Sequence, residues 1–424
     1  MQLEQSLKMD LDYVRRLLGQ DIEILNKTGS SHIAVAETVP ICLDKGTEKV
    51  KLAFLPTLPG INISLDGVDA YHLKSDDLVF ANTPKNIQNL AGLKDASGTK
   101  RLIIIQPGDD VKAKLEAAPN GSWVLILPGE YEVSESIDLS QKKNLRITGF
   151  GFEKGTDYDP TIIYTDQNIY LFNLGNNTGA TNIIIENMRL EQRGSRAGRG
   201  ISFGNQLSSR FFFSNLYVYN FTTGIYWNGN TGGMLKSIFA DSCNYGIELS
   251  NSTQVTVDSV YLANCGIVGL GIGTAYNCIS SNIHCYSCYI GISFTTYGND
   301  IDPGSLLCGF TCKDCARAVN LSASQSGHKC TMTISDGVIS HNNTSAVAFR
   351  WSGNYGYAPV TITNIRLLGQ FGYGFRDEVS NSSSDFDINL LMGVDALNAS
   401  FASAAFDMPH LHEIKEVGHN PGLL

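Results

Sequence analysis

Glu191 and Asp241 are the residues of this sequence whose type and spacing best suit acid–base chemistry. When the chain is aligned on an internal repeat of about 22 residues, both acids fall in one outward column, with Tyr219 between them. They are then two repeats apart, or about 9.6 Å if each repeat advances by about 4.8 Å. That is near the upper edge of the separation of about 6.5–9.5 Å used in inverting glycoside hydrolysis. One carboxylic acid would protonate the leaving oxygen while the other activates water.

Glu248 is the third candidate acid. It lies in a second outward column, beside the start of each repeat, and a second choice of catalytic pair joins it to Asp258 on the same repeat. Outward acids on a repetitive surface are, however, often no more than solvated side chains. The same column contains Ser202, Tyr226, Glu248 and Ser293.

Aromatic and basic residues near these acids are candidates for substrate binding. Tyr217, Tyr219 and Tyr226 could stack against sugar rings. Arg196 stands in a cluster with Arg193 and Arg199, and an arginine there could hold a carboxylate or phosphate group of a glycan. The competing interpretation of the cluster is a solvated loop.

These residues are positioned by an internal repeat of the sequence. Five copies of one motif make up this repeat. Each copy begins with glycine, and successive copies are 22 to 24 residues apart. Within a copy the apolar residues alternate, as in Ile247 and Leu249, which indicates strands, because helices need a period near 3.6. The copies begin at Gly200, Gly224, Gly246, Gly269 and Gly291.

Short strands in a repeat of this length predict a parallel β-helix. Two or three strands would form one rung, and no rung can bury its inner face alone, so rungs must stack. The predicted fold is therefore all-β: a right-handed parallel β-helix with a small N-terminal β-rich domain and a short C-terminal tail. We expect domains at residues 1–95, 96–392 and 393–424.

The cysteines follow the repeat. Cys285 and Cys288, with Cys312 and Cys315, form two C-x-x-C pairs that are typical of zinc sites. Since cysteine also behaves as a small apolar residue, stacked thiols inside a narrow core are the favoured interpretation. One position on successive rungs is occupied by Cys243, Cys265, Cys288 and Cys315.

Composition limits the classes of function. The net charge of −10 over 424 residues argues against a nucleic-acid partner. The ten cysteines lie mostly at repeat positions rather than at framework spacings, which favours free thiols and assembly in a reducing cytoplasm. We expect no signal peptide and no membrane span, because neither an apolar leader segment nor an apolar run of about 18 residues is present.

The two ends of the chain differ from the repeat. Residues 2–19 predict a helix with an apolar stripe, and short strands are predicted over 30–95, including Val50–Leu55 and Ile61–Leu65. The tail loses the repeat pattern. It contains His410 and His412, which in a trimer could share one metal, although incidental histidines are the commoner explanation.

The segment from Trp123 to Gly151 contains a strand, the Pro128-Gly129 turn and two further strands. It resembles the opening rungs of the pectate-lyase-like β-helix superfamily, and Val111–Ala118 before it predicts a short helix that plugs the open end. The domain order resembles that of bacteriophage tailspikes. The resemblance implies a homotrimer in the virion, assembled in the host cytoplasm, whose N-terminal domain attaches to other virion proteins.

The resemblance also implies binding to the host cell surface. Proteins of this kind recognise, and often cleave, bacterial surface polysaccharides. We therefore expect a viral tail protein that recognises such a polysaccharide, and whether it also has glycosidase activity stays open. The alternative is a non-enzymatic structural virion component: a spike, fibre or adaptor. A cellular carbohydrate-active enzyme is disfavoured by the expected lack of an export signal. We expect no cofactor and no resident metal.

Overall fold

The computed structural model describes two compact units, each of which is considered by itself. The units comprise Met1–Leu93 with Gly155–Tyr158, and Lys94–Lys154 with Asp159–Leu424. The helix predicted over residues 2–19 lies outside the described residues. The described ranges are 39–45, 48–54, 60–65, 68–74, 102–152, 160–176, 179–204, 210–229, 231–296, 301–323, 330–353, 360–379, 386–409 and 411–420.

The first unit contains a four-stranded antiparallel sheet in simple sequential order. The strand predicted at Ile61–Leu65 is confirmed as the third of this sheet, and the one predicted at Val50–Leu55 is confirmed as the second over its described residues, 50–54. A small β-rich N-terminal domain was therefore correctly predicted. Its strands are β1 (Val39–Lys45), β2 (Glu48–Phe54), β3 (Gly60–Leu65) and β4 (Val68–Lys74).

The second unit is a parallel β-helix, as the sequence predicts. Strands pair in parallel with strands of the next rung; the strand at Ile183–Gln192, for example, pairs with the strand at Phe211–Tyr219. The elements are β5 (Leu102–Ile105), α1 (Val111–Ala117), β6 (Trp123–Ile126), β7 (Gly129–Glu132), β8 (Ile137–Asp138), β9 (Arg146–Thr148), β10 (Thr161–Thr165), β11 (Tyr170–Asn176), β12 (Ile183–Gln192), β13 (Ala197–Gly204), β14 (Phe211–Tyr219), β15 (Phe221–Asn228), β16 (Thr231–Asp241), β17 (Tyr245–Ala263), β18 (Val268–Tyr276), β19 (Ile279–Tyr286), β20 (Ile290–Thr296), β21 (Ile301–Lys313), β22 (Arg317–Ala323), β23 (Cys330–Asn342), β24 (Val347–Gly353), β25 (Val360–Val379), β26 (Phe386–Asp407) and β27 (Leu411–Val417).

Each rung contributes to three parallel sheets, here called A, B and C. Successive rungs supply 183–186, 211–214 and 233–236 to sheet A, and 188–191, 216–219 and 238–241 to sheet B. Sheet C receives 199–203, 223–228 and 245–250. Long strands such as β17 and β25 turn a corner and belong to more than one sheet.

Single residues with positive φ turn the corner between sheets A and B. A short polar side chain tolerates this left-handed conformation better than a branched one. The repeat therefore needs Asn, Asp, Ser or Gly at one position of every rung. The residues at this corner are Asn187, Asn215, Ser237, Ser259, Asn282, Gly309, Asp336, Asn364 and Gly393.

The repeat glycines are required by the close approach of successive rungs. A Cβ atom on Gly246 would stand 2.7 Å from the carbonyl oxygen of Gly269 and 2.9 Å from Leu262 Cδ2. The same contact recurs along the column: a Cβ on Gly224 would stand 2.5 Å from the oxygen of Gly246. A side chain at this position would therefore push neighbouring rungs apart.

The cysteine column lies inside the helix, as predicted. Cys243, Cys265, Cys288 and Cys315 are buried in the single apolar core that runs along the described rungs. Burial raises the pKa of the Cys243 thiol to about 12. These thiols therefore fill space in a narrow core.

The two ends of the β-helix differ. At the N-terminal end α1 buries Val111 and Leu115 in the core, as a plug should. At the other end β26 and β27 continue the parallel pairing to Val417. Pairing thus extends into the segment that was assigned from sequence to a patternless tail. In the part of the chain that the structure describes, no helix is both long and apolar enough to cross a membrane.

Candidate functional site

The predicted outward column of sheet B is confirmed. Glu191 of β12 pairs in register with Tyr219 of β14, and Tyr219 pairs with Asp241 of β16. Glu191 and Asp241 are therefore two rungs apart on one face, about 9.6 Å along the axis. The column begins with Glu132 and Tyr164 on the two preceding rungs.

A second outward column runs beside the first, two residues earlier on each strand of sheet B. It contains Arg189 on β12 and then a series of rings on successive rungs. We call the two columns together the sheet B face. The rings of the second column are Tyr217, Phe239, Tyr261 and His284.

Glu191 is held by arginines on both carboxylate oxygens. Its Oε2 lies 2.9 Å from Arg193 Nε, and its Oε1 is in contact with Arg189 Nε. The Glu191 side chain is only 9% exposed. Arg193 also reaches Glu130, at 2.9 Å, and its guanidinium stands 3.7 Å from the centre of the Tyr164 ring. Glu191 is therefore a largely buried carboxylate that two arginines hold in place.

Asp241 has neutral partners instead. Its Oδ2 accepts a hydrogen bond from the Tyr217 hydroxyl at 3.0 Å, and its Oδ1 accepts from Ser242 and from the Asn264 amide, each at 3.0 Å. Burial, followed by the Asp241 charge, raises the pKa of Tyr217 to about 12. Tyr217 therefore stays protonated at neutral pH and remains a donor to Asp241.

The rings of the sheet B face pack against one another along the axis. The ring centres of Phe239 and Tyr261 are 5.5 Å apart, and those of Tyr261 and Tyr286 are 4.8 Å apart, with the rings stacked in both pairs. Arg189 covers the Tyr217 ring at 4.5 Å. Because their faces are partly occupied, these rings present edges and hydroxyl groups to a ligand.

The other candidate acid lies on a different face. Glu248 pairs with Tyr226 in sheet C, whereas Asp258 belongs to sheet A, next to Lys236. The second-choice pair of Glu248 and Asp258 is thus not brought together. Burial raises the pKa of the Glu248 carboxyl, opposed by the positive charge of Arg199. The guanidinium of Arg199 stacks on Tyr226 at 3.7 Å from the ring centre.

The arginine cluster is divided between faces. Arg193 joins the sheet B face through Glu191, while Arg199 belongs to sheet C. Arg196 donates a hydrogen bond to Asn244 Oδ1 at 2.7 Å, where the chain passes from sheet B to sheet C. The three arginines therefore do not form one anion site.

Several residues of the sheet B face were missed from the sequence. Arg189, Glu130 and Tyr164 join the ionic network, and Phe239 and Tyr261 extend the row of rings. A signal existed, because each ring lies two residues before a member of the Glu191–Asp241 column. Alternation along the strand then places it on the same side of the sheet.

No metal centre is evident among the residues that the structure describes, where no group of three His, Cys, Asp or Glu side chains is placed to hold an ion. The predicted histidine site falls outside this part of the chain, because His410 and the side chain of His412 are not described.

No family model matches the chain, and no curated protein matches it. Among solved structures, the chain is similar to the A-module of a mannuronan C-5 epimerase from Azotobacter vinelandii, with 15% identity, a TM-score of 0.43, and coverage of 74% of this chain and 96% of that one.

Two further solved structures show the same level of similarity. One is the enzymatically active domain of a tailspike protein of bacteriophage CBA120, with 11% identity, a TM-score of 0.45, and coverage of 83% of this chain and 54% of that one. The other is the catalytic domain of a GH87 α-1,3-glucanase in complex with nigerose, with 12% identity, a TM-score of 0.47, and coverage of 90% and 76%.

Proposed function

We propose that the chain binds a bacterial surface polysaccharide along the sheet B face. The observation that carries this proposal is the unbroken row of tyrosine, phenylalanine, histidine, arginine and carboxylate side chains on successive rungs of one sheet. Rungs repeat every 4.8 Å or so, a distance comparable to the length of one pyranose unit. Ring edges and hydroxyl groups suit the mixed apolar and hydroxylated surface of sugars.

The charges of this face favour an uncharged polysaccharide. Arg189 and Arg193 are the cations of its N-terminal half, and both are engaged with Glu191 or Glu130. Asp241 and Glu132 lie in the same column as Glu191, and among the residues that the structure describes neither forms an ion pair with an arginine. An acidic polysaccharide would therefore meet uncompensated carboxylates, whereas hydroxyl groups of a neutral one could donate to them.

Cleavage is a second candidate function, favoured by the position of Glu191 and Asp241 two rungs apart on one face. In that role Asp241, with neutral partners, would be the group that exchanges a proton. Glu191 would have to leave one arginine before it could act. The two ion pairs of Glu191, with Arg189 and Arg193, are the specific observation that favours recognition without hydrolysis.

We further propose that the protein is a tailspike-like receptor-binding component of a virion. Support comes from the domain order: a separate four-stranded N-terminal unit precedes the β-helix. In this role the N-terminal unit would attach to other virion proteins. A spike, fibre or adaptor that only binds or builds is the alternative within the same proposal.

The proposed assembly is a homotrimer formed through sheet A. From Ile184 onward, one outward column of this sheet contains no charged residue for nine rungs, about 38 Å; Arg146 precedes it. Together with the neighbouring column, which contains Glu186, Lys236 and Asp258, the strip would bury on the order of 1,000 Å² between two copies, the lower bound for a specific interface. A second copy with the same rung spacing matches such a stripe. Its members are Ile184, Phe212, Met234, Thr256, Ile279, Leu306, Thr333, Thr361 and Leu390.

The solution mass tests this assembly. The parent should have the mass of three chains by light scattering. A double variant with Phe212→Lys and Ile279→Lys should be monomeric, because lysine ammonium groups cannot be desolvated against their own copies. Thr311→Lys, outward on sheet B, should remain trimeric. A monomeric parent, or a trimeric double variant, would contradict the assembly.

The function is tested with a panel of purified bacterial surface polysaccharides, neutral and acidic. Binding to the immobilised glycan and release of reducing ends are measured on the same samples. The proteins are the parent, Glu191→Gln, Asp241→Asn and, as a control on sheet A, Ser335→Gln. We expect a neutral polysaccharide to bind the parent and the control, and to bind more weakly to both sheet B variants.

The outcomes separate the two candidate functions. Reducing ends that the parent releases and that Asp241→Asn does not would establish hydrolysis at this face. Binding without release would assign the protein to recognition alone. The proposal fails if no polysaccharide binds, or if both sheet B variants bind as tightly as the control.

A further inference from the structure

Glu248 on sheet C lies in an unusual environment for an acid. Its carboxyl is partly buried, and it makes no hydrogen bond or ion pair with the residues that the structure describes. The nearest cation, Arg199, is already engaged, because it stacks on Tyr226 and donates to Ser202 Oγ at 3.1 Å. A carboxylate taken from water normally requires a compensating partner.

The next rung leaves space beside this carboxyl. Gly271 follows Glu248 in the outward column of sheet C. A Cβ atom placed on Gly271 would meet nothing closer than Val268 Cγ1 at 3.7 Å and the Ile247 oxygen at 3.8 Å. Gly271 does not adopt a left-handed backbone conformation either. In contrast to the repeat glycines, its missing side chain is not required by packing, and the result is a notch.

The far side of the notch is lined by hydroxyl and amide groups. Ser293 follows Gly271 in the column, and Asn320 follows Ser293. Asn320 Nδ2 donates to Ser293 Oγ at 3.2 Å, and Asn320 Oδ1 accepts from Arg350 at 3.2 Å. Because Ser293 Oγ already accepts a hydrogen bond from Asn320, its own proton is available to Thr295, 3.4 Å away, or to a ligand.

The notch therefore has an acceptor on one side and a donor on the other. Glu248 and Ser293 are two rungs apart, about 9.6 Å between their backbones. Their side chains both project outward from the same face of sheet C. The space between them suits a single ring that carries hydroxyl groups on opposite edges.

We propose that the notch formed by Glu248, Gly271 and Ser293 binds one pyranose residue. A hydroxyl group of the sugar donates to the Glu248 carboxylate, and an oxygen on its opposite edge accepts from Ser293. The site lies on sheet C and is separate from the sheet B face. It therefore stands or falls independently of the function proposed for that face.

Saturation-transfer difference NMR tests the site directly. The probes are methyl glycosides of glucose, galactose, mannose and N-acetylglucosamine. The proteins are the full-length parent, Glu248→Gln, Gly271→Gln, Asp241→Asn on sheet B and, as a control on sheet A, Ser335→Gln. Melting temperatures check folding, and Gly271→Gln should fold, because a Cβ at this position has room.

We expect at least one glycoside to receive saturation from the parent. Glu248→Gln should weaken its binding about tenfold, as the loss of a hydrogen bond to a charged group predicts. Gly271→Gln should abolish binding by filling the notch, while Ser335→Gln should bind as the parent does. The proposal is overturned if no glycoside receives saturation, if both notch variants bind normally, or if Asp241→Asn alone loses binding.

Discussion

Glu191 and Asp241 occupy equivalent positions in sheet B but have opposite kinds of partner. Glu191 is clamped by two arginines, whereas Asp241 accepts hydrogen bonds from Tyr217, Ser242 and Asn264. Hydrogen bonds to a charged group are stronger than neutral ones, and bonds from charged donors are stronger still. The more adaptable acid of the two is therefore Asp241, and its position depends on Tyr217.

Replacing Tyr217 by phenylalanine should lower the melting temperature, corresponding to a loss of about 1.5–3 kcal/mol of stability for one hydrogen bond to a charged group. The hydroxyl that donates to Asp241 is removed while the ring stays beneath Arg189. Tyr219→Phe is the matched control, with an expected change below about 0.5 kcal/mol, as for an ordinary surface substitution. Equal effects of the two changes would contradict this role of the Tyr217 hydroxyl.

The effect of Tyr217→Phe should also depend on pH. The folded-state pKa of Tyr217, about 12, is above the value of about 10 that tyrosine has in an unfolded chain. The folded state thus holds this proton more tightly, and the resulting stability is complete below pH 10 or so and is lost as the pH rises toward 12. In thermal melts, the gap between parent and Tyr217→Phe should narrow over that interval. A gap that widens would contradict the assignment.

The register of the site could be predicted from sequence, but its contacts could not. The repeat length placed Glu191, Tyr219 and Asp241 in one column, because side chains alternate strictly along a strand. The direction of a long side chain is not fixed by the repeat. Arg193 and Arg199 are close in sequence, yet Arg193 contacts Glu191 on sheet B and Arg199 contacts Tyr226 on sheet C, since the corner between the two sheets separates them.

At the level of elements, the rung is defined by its corners and by its glycines. The corner residues with positive φ set where each strand ends. The glycine at the start of sheet C lets neighbouring rungs meet without a Cβ between them. Two glycines of the same strand can differ in whether packing requires them. In β18, Gly269 belongs to the column of close contacts between rungs, whereas a Cβ on Gly271 would have room.

Gly246→Ala and Gly271→Ala should therefore differ in stability. At Gly246 the new Cβ would stand 2.7 Å from a carbonyl oxygen, and we expect a cost of about 1–3 kcal/mol, as for overpacking in a core. At Gly271 the change should be nearly neutral, because the nearest atom is 3.7 Å away. Thermal melts of the two variants provide the comparison. Similar losses in both would show that the close contact is not what requires glycine.

The extent of the elements was only partly predictable. The repeat motif predicted the β-helix and the buried cysteine column, and the segment Val111–Ala118 predicted the plug at α1, since each depends on local pattern. The part of β26 beyond residue 392 and the whole of β27 were missed, because their pairing tolerates several register shifts and their sequence no longer repeats. Tertiary pairing there outweighs the weak local pattern.

The whole β-helix presents three faces of different character. Sheet A has an uncharged stripe, sheet B has rings and ion pairs, and sheet C has a polar column with the notch at Gly271. A β-helix contains no pocket of its own, so function must arise from these outer faces. The three faces correspond to the three proposals: self-association, polysaccharide binding and a separate sugar site.

The most direct test of polysaccharide binding is a crystal structure of the parent protein with an oligosaccharide from a polysaccharide that binds it. We expect the oligosaccharide to lie along the sheet B face, in contact with Asp241 and Tyr261. An oligosaccharide bound elsewhere, with the sheet B face empty, would contradict the central proposal.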